Sequence, residues 1–432
     1  MTSTLFESAA APRLNAPTLH RLPNGLTIVA EQMPIEAVNL SLWLGVGSAI
    51  ESDAINGMAH FLEHMIFKGT SQLRSGEFEQ RVEQCGAVTN AATSQDYTHF
   101  YITTAPQDFA ELAPLQIEVV RNAAIPDQAF ERERCVILEE IRRANDTPRR
   151  RAFNRSMELA FDRLPYRRPV LGPTEVVEQL TPQQMRDFHS TWYQPQSMTA
   201  VAVGNLPVEQ LIQIVADGIA ASELIAPLPP TPAITLPDLS PELPFSEIVR
   251  DELVDPSLQQ ARMMLMWRVP GMEDLSQTYA LDILAYIIGQ GRTARLIRDL
   301  REEQGLVTGI SASNMTLTRQ GIFHVSAQLP IEHLEQVEAA IVQHIRRLQN
   351  EPVTAAEIAR IRTLVANRFV FGSETPSDRA GLYGYYQSVV GDLAPAIDYP
   401  ARIQSLGPVD LQTAAQQYLS PDAYRVLVVK PS

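Results

Sequence analysis

The chain has 432 residues, of which 45% are hydrophobic and 20% charged, a composition typical of a globular protein with more than one domain. Its formal net charge of −15 argues against nucleic-acid binding, because phosphate contacts need clustered lysine and arginine. Apolar runs such as Ile283–Ile288 are too short to cross a bilayer, and two cysteines define no disulfide framework. The N-terminus lacks the basic and apolar regions of a secretory signal, so we expect a soluble, cytoplasmic protein without membrane contact.

The first predicted elements are strands that follow a flexible polar tail, residues 1–15. Apolar and β-branched residues predict strands at Thr27–Glu31 and Val38–Val46, with a further strand at His99–Thr104. We assign these strands to a first domain that comprises residues 16–225.

A helix with an unusual polar face is predicted within Gly57–Thr70, which reads GMAHFLEHMIFKGT. Its apolar positions indicate a buried helix, on which His60, Glu63 and His64 fall within roughly 100° of arc. Two imidazoles four residues apart can reach one metal ion, as in the inverted H-x-x-E-H motif. Zinc accepts neutral nitrogen ligands and activates water, and a nearby carboxylate can take the proton of that water. The pattern therefore predicts a hydrolytic zinc site with Glu63 as general base.

A third zinc ligand is expected on another element, because catalytic zinc usually has three protein ligands. The predicted helix Phe130–Arg143 offers Glu133 and Glu140, which are seven residues apart and share a face. One of them can bind the metal while the other orients a histidine, and spacing alone does not decide between them. Glu131 and Glu139 are interpreted as solvated helix charges.

A proline-rich segment, residues 226–245, divides the chain into halves of similar length. Proline fixes φ and removes a backbone donor, so this segment is predicted to be an extended linker. A second domain, residues 246–432, follows it.

The two halves share sequence patterns that indicate a duplicated design. A helix, an aromatic residue, a proline and an apolar strand occur in order in Thr181–Gly204 and again in Gly407–Val429. Thr147, Pro148 and Arg151 match Thr375, Pro376 and Arg379 at a constant offset. With second-half strands at Ser257–Arg268 and Ile322–Gln328, the pattern predicts an α+β fold. It should contain two homologous domains, each a mainly antiparallel sheet packed with helices.

Several motifs resemble those of the pitrilysin/insulinase family of inverted-motif zinc peptidases, most of all its short forms similar to mitochondrial processing peptidase. The resemblance covers nearly the whole chain. It is carried by LPNGLTIV, GMAHFLEHMIFKGT, NAATSQDYTHFY, ERERCVILEEI and GQGRTARLIRDLREEQGL, which lie at Leu22–Val29, Gly57–Thr70, Asn90–Tyr101, Glu131–Ile141 and Gly289–Leu306.

The resemblance implies roles for residues that the spacing leaves open. It makes Glu140 the third metal ligand beside His60 and His64, and Glu133 the residue that orients a histidine. It also implies that a substrate pairs as an added strand with residues Asn90, Ala91, Ala92 and Thr93. Such pairing gives affinity through the main chain with little demand on side chains.

The family also uses an arginine and a tyrosine from its C-terminal half to hold substrate and stabilise the oxyanion. The segment DRAGLYGYYQ matches that motif, with Arg379 as the arginine and Tyr386 as the tyrosine, and Tyr385 as the alternative. The segment Ser276–Arg292, which aligns with the metal helix, has no histidine or glutamate, so the second half resembles a substrate-clamping domain.

The function implied by this resemblance is zinc-dependent endopeptidase activity on peptides or unfolded segments, including targeting or precursor peptides, inside an enclosed chamber. One Zn²⁺ is expected per chain. A homodimer is favoured because one chain carries both residue sets, and a heterodimer with a related chain is the alternative. The rival interpretation is a catalytically silent scaffold or the partner subunit of a heterodimeric processing peptidase.

Overall fold

The computed structural model describes residues 16–223 and 238–432. The predicted tail, residues 1–15, and residues 226–237 of the proline-rich segment lie outside the described residues. No helix in the described ranges combines the length and apolarity that crossing a bilayer requires.

The first half is built on a six-stranded sheet with the strand order β1-β2-β6-β3-β5-β4. All neighbouring pairs are antiparallel except β2 and β6, which are parallel. The strands are β1 (Thr18–Arg21), β2 (Thr27–Gln32), β3 (Val38–Leu44), β4 (Val88–Thr93), β5 (Thr98–Thr104) and β6 (Met198–Gly204).

Most helices of the first half pack against one face of this sheet and form the larger of its apolar clusters. The helices of the first half are α1 (Met58–Ile66), α2 (Glu77–Gln84), α3 (Phe109–Arg121), α4 (Asp127–Asp146), α5 (Pro148–Ala160), α6 (Thr174–Val177), α7 (Pro182–Trp192) and α8 (Val208–Glu223).

The second half repeats the arrangement with a five-stranded sheet in the order β7-β11-β8-β10-β9. Its strands are β7 (Val249–Val254), β8 (Ala261–Pro270), β9 (Gly309–Met315), β10 (Gln320–Leu329) and β11 (Arg425–Lys430). Here β7 and β11 are the parallel pair, and the other neighbours are antiparallel. The order therefore matches β2-β6-β3-β5-β4 strand for strand, and the predicted duplicated α+β fold is confirmed.

The helices of the second half follow the same plan. They are α9 (Leu275–Gly289), α10 (Leu334–Asn350), α11 (Ala355–Phe371), α12 (Pro376–Val389), α13 (Ala394–Ser405) and α14 (Pro408–Tyr418), with a π-helical turn at Ile297–Glu303. In chain order, α9 occupies the place between β8 and β9 that α1 occupies between β3 and β4.

The halves exchange one helix each. Helix α12 packs on β3 and β6 of the first sheet, and α5 packs on β8 and β11 of the second. Because both of their faces are covered, β3 and β6 are buried at every position, as expected for a central strand without a solvent face. The exchanged helices begin at the matched residues Thr147 and Thr375, which are their N-caps.

The described end of the proline-rich segment, residues 238–245, contains no helix or strand, as the prolines predict. It is anchored by Glu242, whose side chain accepts hydrogen bonds from the backbone of Asp162, Arg163 and Leu164 at 2.7–2.9 Å. Arg268 of the second sheet also contacts Glu242, at 2.6 Å. This part of the segment therefore bridges the two halves.

Candidate metal centre

Helix α1 has its first turn fixed by a buried carboxylate. Glu51 Oε1 accepts a hydrogen bond from the Ala59 N–H at 2.7 Å, and Oε2 accepts one from the Gly57 N–H at 2.9 Å. These groups satisfy backbone donors that a helix N-terminus leaves unpaired. Gly57 has φ 100°, and a Cβ there would lie 2.7 Å from the Leu171 carbonyl oxygen. Only glycine fits this junction.

The apolar side of α1 lies in the first-half core, where Phe61 stacks on Phe130 of α4 with ring centroids 4.4 Å apart. This packing sets α4 beside the polar side of α1. The three residues His60, His64 and Glu140 are thereby brought together, with one ligand atom of each within 4.8 Å of the others. It is the one such group of three metal-ligating residues in the described ranges.

The spacing within this triad fits a zinc ion. Glu140 Oε2 lies 3.5 Å from His60 Nε2 and 3.6 Å from His64 Nε2. Ligands at 2.0–2.1 Å in tetrahedral geometry are separated by about 3.4 Å, close to these distances. Burial, with smaller effects from His64 and Arg150, lowers the pKa of His60 to about 4. The imidazole is therefore neutral at pH 7, which is the form that binds a metal.

Glu133 holds the second histidine from the opposite side. Its Oε1 lies 3.0 Å from His64 Nδ1, and its Oε2 lies 2.7 Å from the Lys68 ammonium. Burial alone would raise the pKa of Glu133, but the hydrogen bonds from Lys68 and His64 bring it below its usual value. An ionised carboxylate accepts the Nδ1 proton and leaves His64 Nε2 free for a metal. The packing thus separates the two glutamates that spacing could not.

Glu63 lies beside the triad and is held by the end of β4. The Thr93 hydroxyl donates a hydrogen bond of 2.5 Å to Glu63 Oε2. Burial raises the pKa of Glu63, and the hydrogen bond from Thr93 opposes that rise. A carboxylate whose pKa is moved toward neutrality is suited to accept and return a proton.

Strand β4, which contains the predicted substrate-binding residues Asn90, Ala91, Ala92 and Thr93, is at the edge of the first sheet. It pairs with β5 on one side. Its other side carries backbone groups that no strand of that sheet uses, a template for strand addition.

Arg379 and Tyr386 are not brought to the triad. Arg379 forms an ion pair with Glu31 on β2 and donates through Nε to the Ser373 carbonyl at 2.9 Å. Glu31 and Val29 lie on the same face of β2, and Val29 belongs to the apolar cluster that α12 forms on that face. Helix α1 packs on the opposite face of the sheet. Tyr386 lines a separate cavity of about 260 Å³ together with Arg368.

Tyr385, the alternative to Tyr386, points in another direction. Its ring contacts Tyr97, which follows β4 by four residues, with centroids 5.6 Å apart. Burial raises the pKa of Tyr385 and of Tyr386 above the ordinary phenol value, so both phenols keep their protons at pH 7.

Sequence reasoning missed three groups that support the site: Lys68, the Thr93 hydroxyl and Glu51. Lys68 had a readable signal, since it lies four residues after His64, just past the end of α1. The contacts of Thr93 with Glu63 and of Glu51 with the helix start depend on how loops and strands pack. No local spacing indicates them.

Comparisons with known proteins place the chain in a family. The insulinase model of peptidase family M16 matches residues 27–174, which include the triad and Glu63. The model described as the peptidase M16 inactive domain matches residues 179–365. The chain belongs to the pitrilysin/insulinase (M16) family, as the motifs predicted.

The relatives that match most of this chain are named zinc proteases. An uncharacterized zinc protease of Rickettsia bellii is 25% identical over 94% of this chain and 96% of its own length. Zinc protease PqqE of Helicobacter pylori is 27% identical over 95% and 92%. The crystal structure of a protease from H. pylori has a TM-score of 0.89 at 26% identity, covering 97% of this chain and all of that one.

Proposed function

We propose that this protein is a zinc-dependent endopeptidase of the H-x-x-E-H type that hydrolyses peptides or unfolded segments in an enclosed chamber. The observation that carries the proposal is the meeting of His60, His64 and Glu140 at ligand distances with Glu63 beside them. A scaffold would have no need of two histidines facing a glutamate, a second glutamate that orients one of them, and a carboxylate with raised pKa in one place.

One zinc ion per chain is proposed, held by His60, His64 and Glu140. When bound, zinc lowers the pKa of water and polarises a carbonyl group. Glu133 and Lys68 keep the His64 ring in the orientation and tautomer that ligation needs.

Glu63 is proposed as the general base. It takes a proton from water on Oε1 or Oε2 and returns it to the leaving amine. The Thr93 hydroxyl keeps the carboxylate in place, and burial keeps its pKa above the ordinary value. The open edge of β4 is proposed to pair with the substrate backbone, which presents the scissile bond next to Glu63.

Arg379 and Tyr386 are proposed to act from a second copy of the chain. Arg379 contacts Glu31 on the other face of the first sheet, and Tyr386 lines a cavity formed by helices of the second half, so both lie away from the triad of their own chain. A homodimer would let each chain supply its zinc site and its arginine and tyrosine to a shared chamber. A heterodimer with a related chain is the alternative partner.

The central experiment is cleavage of a quenched fluorogenic peptide by the purified chain. Wild type should cleave it, while Glu63→Gln should be slower by about 10²–10⁴-fold and chelator-treated protein inactive. Glu139→Gln, at a glutamate on α4 that pairs with Arg142 and Arg143 and not with the triad, is the control and should match wild type. Equal cleavage by Glu63→Gln would remove Glu63 from the mechanism. A wild type that binds zinc without cleaving would favour the silent scaffold or partner subunit.

The dimer proposal is tested by mixing two inactive variants. Glu63→Gln and Arg379→Gln should each be poor enzymes alone. A mixed dimer contains one site with an intact Glu63 facing an intact Arg379 from the other chain, so activity should return on mixing. No recovery, together with a monomeric mass in solution, would contradict the proposal.

A further inference from the structure

A cavity of about 450 Å³ opens beside the candidate metal centre. It is bordered by His60 and Glu63 on one side and by the end of β4, Ala92–Gln95, on another. A peptide added to β4 would therefore have one of its side chains directed at this cavity. The volume is ample for any single side chain.

One part of the cavity wall is apolar. It is formed by Phe153 and Met157 of α5, by Leu171 in the loop before α6, and by Met315 at the end of β9. Helix α5 is one of the exchanged helices and β9 belongs to the second sheet, so the cavity exists only where both halves meet. These side chains can cover the methylene groups of a substrate residue.

Three arginines and one carboxylate, Glu63, supply the charge in the lining. Arg168 is committed to the protein, since it contacts Asp53 at 2.7 Å and the Glu51 carbonyl at 2.6 Å. Arg167 donates to the Asp162 carbonyl at 2.9 Å. Arg150 is exposed, and no hydrogen bond or ion pair engages its guanidinium within the described ranges.

Arg150 is also close to the reacting centre. It lines the same cavity as His60 and Glu63. The formal net charge of the whole chain is −15, so the positive charge at Arg150 is opposite in sign to the net charge of the protein. An unpaired cation above apolar walls has the composition of a site for a side chain with a short apolar stem and a carboxylate.

We propose that this cavity is a specificity pocket for an acidic residue of the substrate, glutamate above all, adjacent to the scissile bond, and that Arg150 selects it. This inference rests on the proposed peptidase function. The glutamate methylenes lie against the apolar wall and the carboxylate accepts hydrogen bonds from the guanidinium. A lysine at the same position places a second cation beside Arg150 and is disfavoured.

The test compares peptides that differ only in having Glu, Gln or Lys at each position flanking the cleaved bond, with cleavage sites read by mass spectrometry. Wild type should prefer Glu to Gln by about tenfold in kcat/KM at one position. Arg150→Gln should bring this ratio close to one, and Arg150→Glu should favour Lys. Arg149→Gln is the matched control, because Arg149 precedes Arg150 but lines a different cavity on the second sheet, and its ratio should stay at the wild-type value.

Peptide binding to chelator-treated protein, followed by fluorescence anisotropy, separates this inference from the proposed function. Cleavage without a Glu preference, or a preference that Arg150→Gln leaves intact, overturns the pocket assignment while the peptidase stands. Absence of cleavage with Arg150-dependent binding of the Glu peptide retains the pocket and rejects the peptidase. Absence of both cleavage and selective binding rejects both.

Discussion

The two halves share a strand order but not the candidate metal centre, and the difference lies on one pair of helices. In the first half, His60 and His64 of α1 face Glu140 of α4. In the second half, Tyr286 and Gln290, also four residues apart, accept hydrogen bonds from Arg368 of α11 at 2.7 and 3.3 Å. The offset that joins Arg151 to Arg379 also joins Glu140 to Arg368. The contact between the two helices is thus present in both halves, but in the second half an arginine, a tyrosine and a glutamine occupy the places of the glutamate and the two histidines.

Glu63, the proposed general base, has no counterpart in the second half, for a steric reason. Gly289 follows Tyr286 by three residues, as Glu63 follows His60. A Cβ at Gly289 would lie 2.1 Å from the Ala312 backbone nitrogen on β9, so α9 is too close to its strand for any side chain there. In the first half, the equivalent space holds Glu63 and its hydrogen bond to Thr93. The repeated architecture supplies the helix pair, and the helix-to-strand distance decides whether a base fits.

The largest expected effect is loss of metal binding on substitution of His64 but not of its second-half counterpart, Gln290. His64→Ala removes a ligand and should weaken metal binding by more than about a hundredfold, since even orienting residues account for 10–100-fold. Gln290→Ala should keep the wild-type metal content. The number of metal ions per chain, measured by elemental mass spectrometry, checks both expectations. Full metal content in His64→Ala would refute the triad.

Arg151 and Arg379 provide a second matched pair. Each forms an ion pair with an acid near the first strand of the partner sheet's parallel pair, Asp255 or Glu31. Arg379→Gln should lower kcat/KM by about a hundredfold if it stabilises the oxyanion. Arg151→Gln should lower the free energy of unfolding about as much as Arg379→Gln does, but should change kcat/KM little. Equal losses in kcat/KM would assign Arg379 a structural role only.

Glu133 distinguishes orientation from ligation. At the same offset, its counterpart is the apolar Ile361, which can orient nothing. Glu133→Gln should weaken metal binding by about 10–100-fold, because the neutral amide no longer fixes the His64 tautomer. Glu139→Gln, whose side chain pairs with Arg142 and Arg143, should leave metal affinity unchanged. Competition with a metal indicator gives the affinities, and an unchanged value for Glu133→Gln would exclude an orienting role.

An effect on stability and not on metal binding concerns Glu51, whose hydrogen bonds to the start of α1 have no side-chain equivalent at the start of α9. Burial raises the pKa of Glu51 to about 7, although the backbone donors of Ala59 and Gly57 oppose the rise. Between pH 4.5 and 7 the folded state then holds a proton that the unfolded state has lost. Stability should therefore fall as pH rises through this window, by about 3 kcal/mol in all.

Glu51→Gln should abolish that slope. It should also destabilise the fold by about 1–3 kcal/mol, because one carboxylate oxygen that accepted a backbone hydrogen bond becomes a donor. Denaturant unfolding of metal-free protein at pH 5 and pH 8 measures both effects. A slope in the variant equal to that of wild type would assign the pH dependence to another group.

Local periodicity was enough to predict the metal helix and the face of α4, because 3.6 residues per turn determine which side chains share a direction. It could not choose between Glu133 and Glu140, since both lie on that face and only the packing of α4 against α1 separates them. The resemblance to the family implied Glu140 as the ligand, and Glu140 is the glutamate whose carboxylate lies near both histidines.

Contacts between distant parts of the chain had no sequence signal. Arg379 and Glu31 are 348 residues apart, and neither residue identifies the other. The repeated threonine, proline and arginine were recognised as a match between the halves, but the pattern does not show that the helices they begin cross to the opposite sheet. The Arg150 cavity depends on that crossing and was equally invisible.

The exchange of α5 and α12 has a consequence for synthesis of the protein on the ribosome. The first sheet exposes Val29, Trp43, Val201 and Val203 on the face that α12 covers. All four residues are translated well before residues 376–389, so this apolar face has no cover while most of the second half is being made. Until residues 376–389 are made, the nascent chain exposes an apolar surface to which chaperones or other nascent chains can bind.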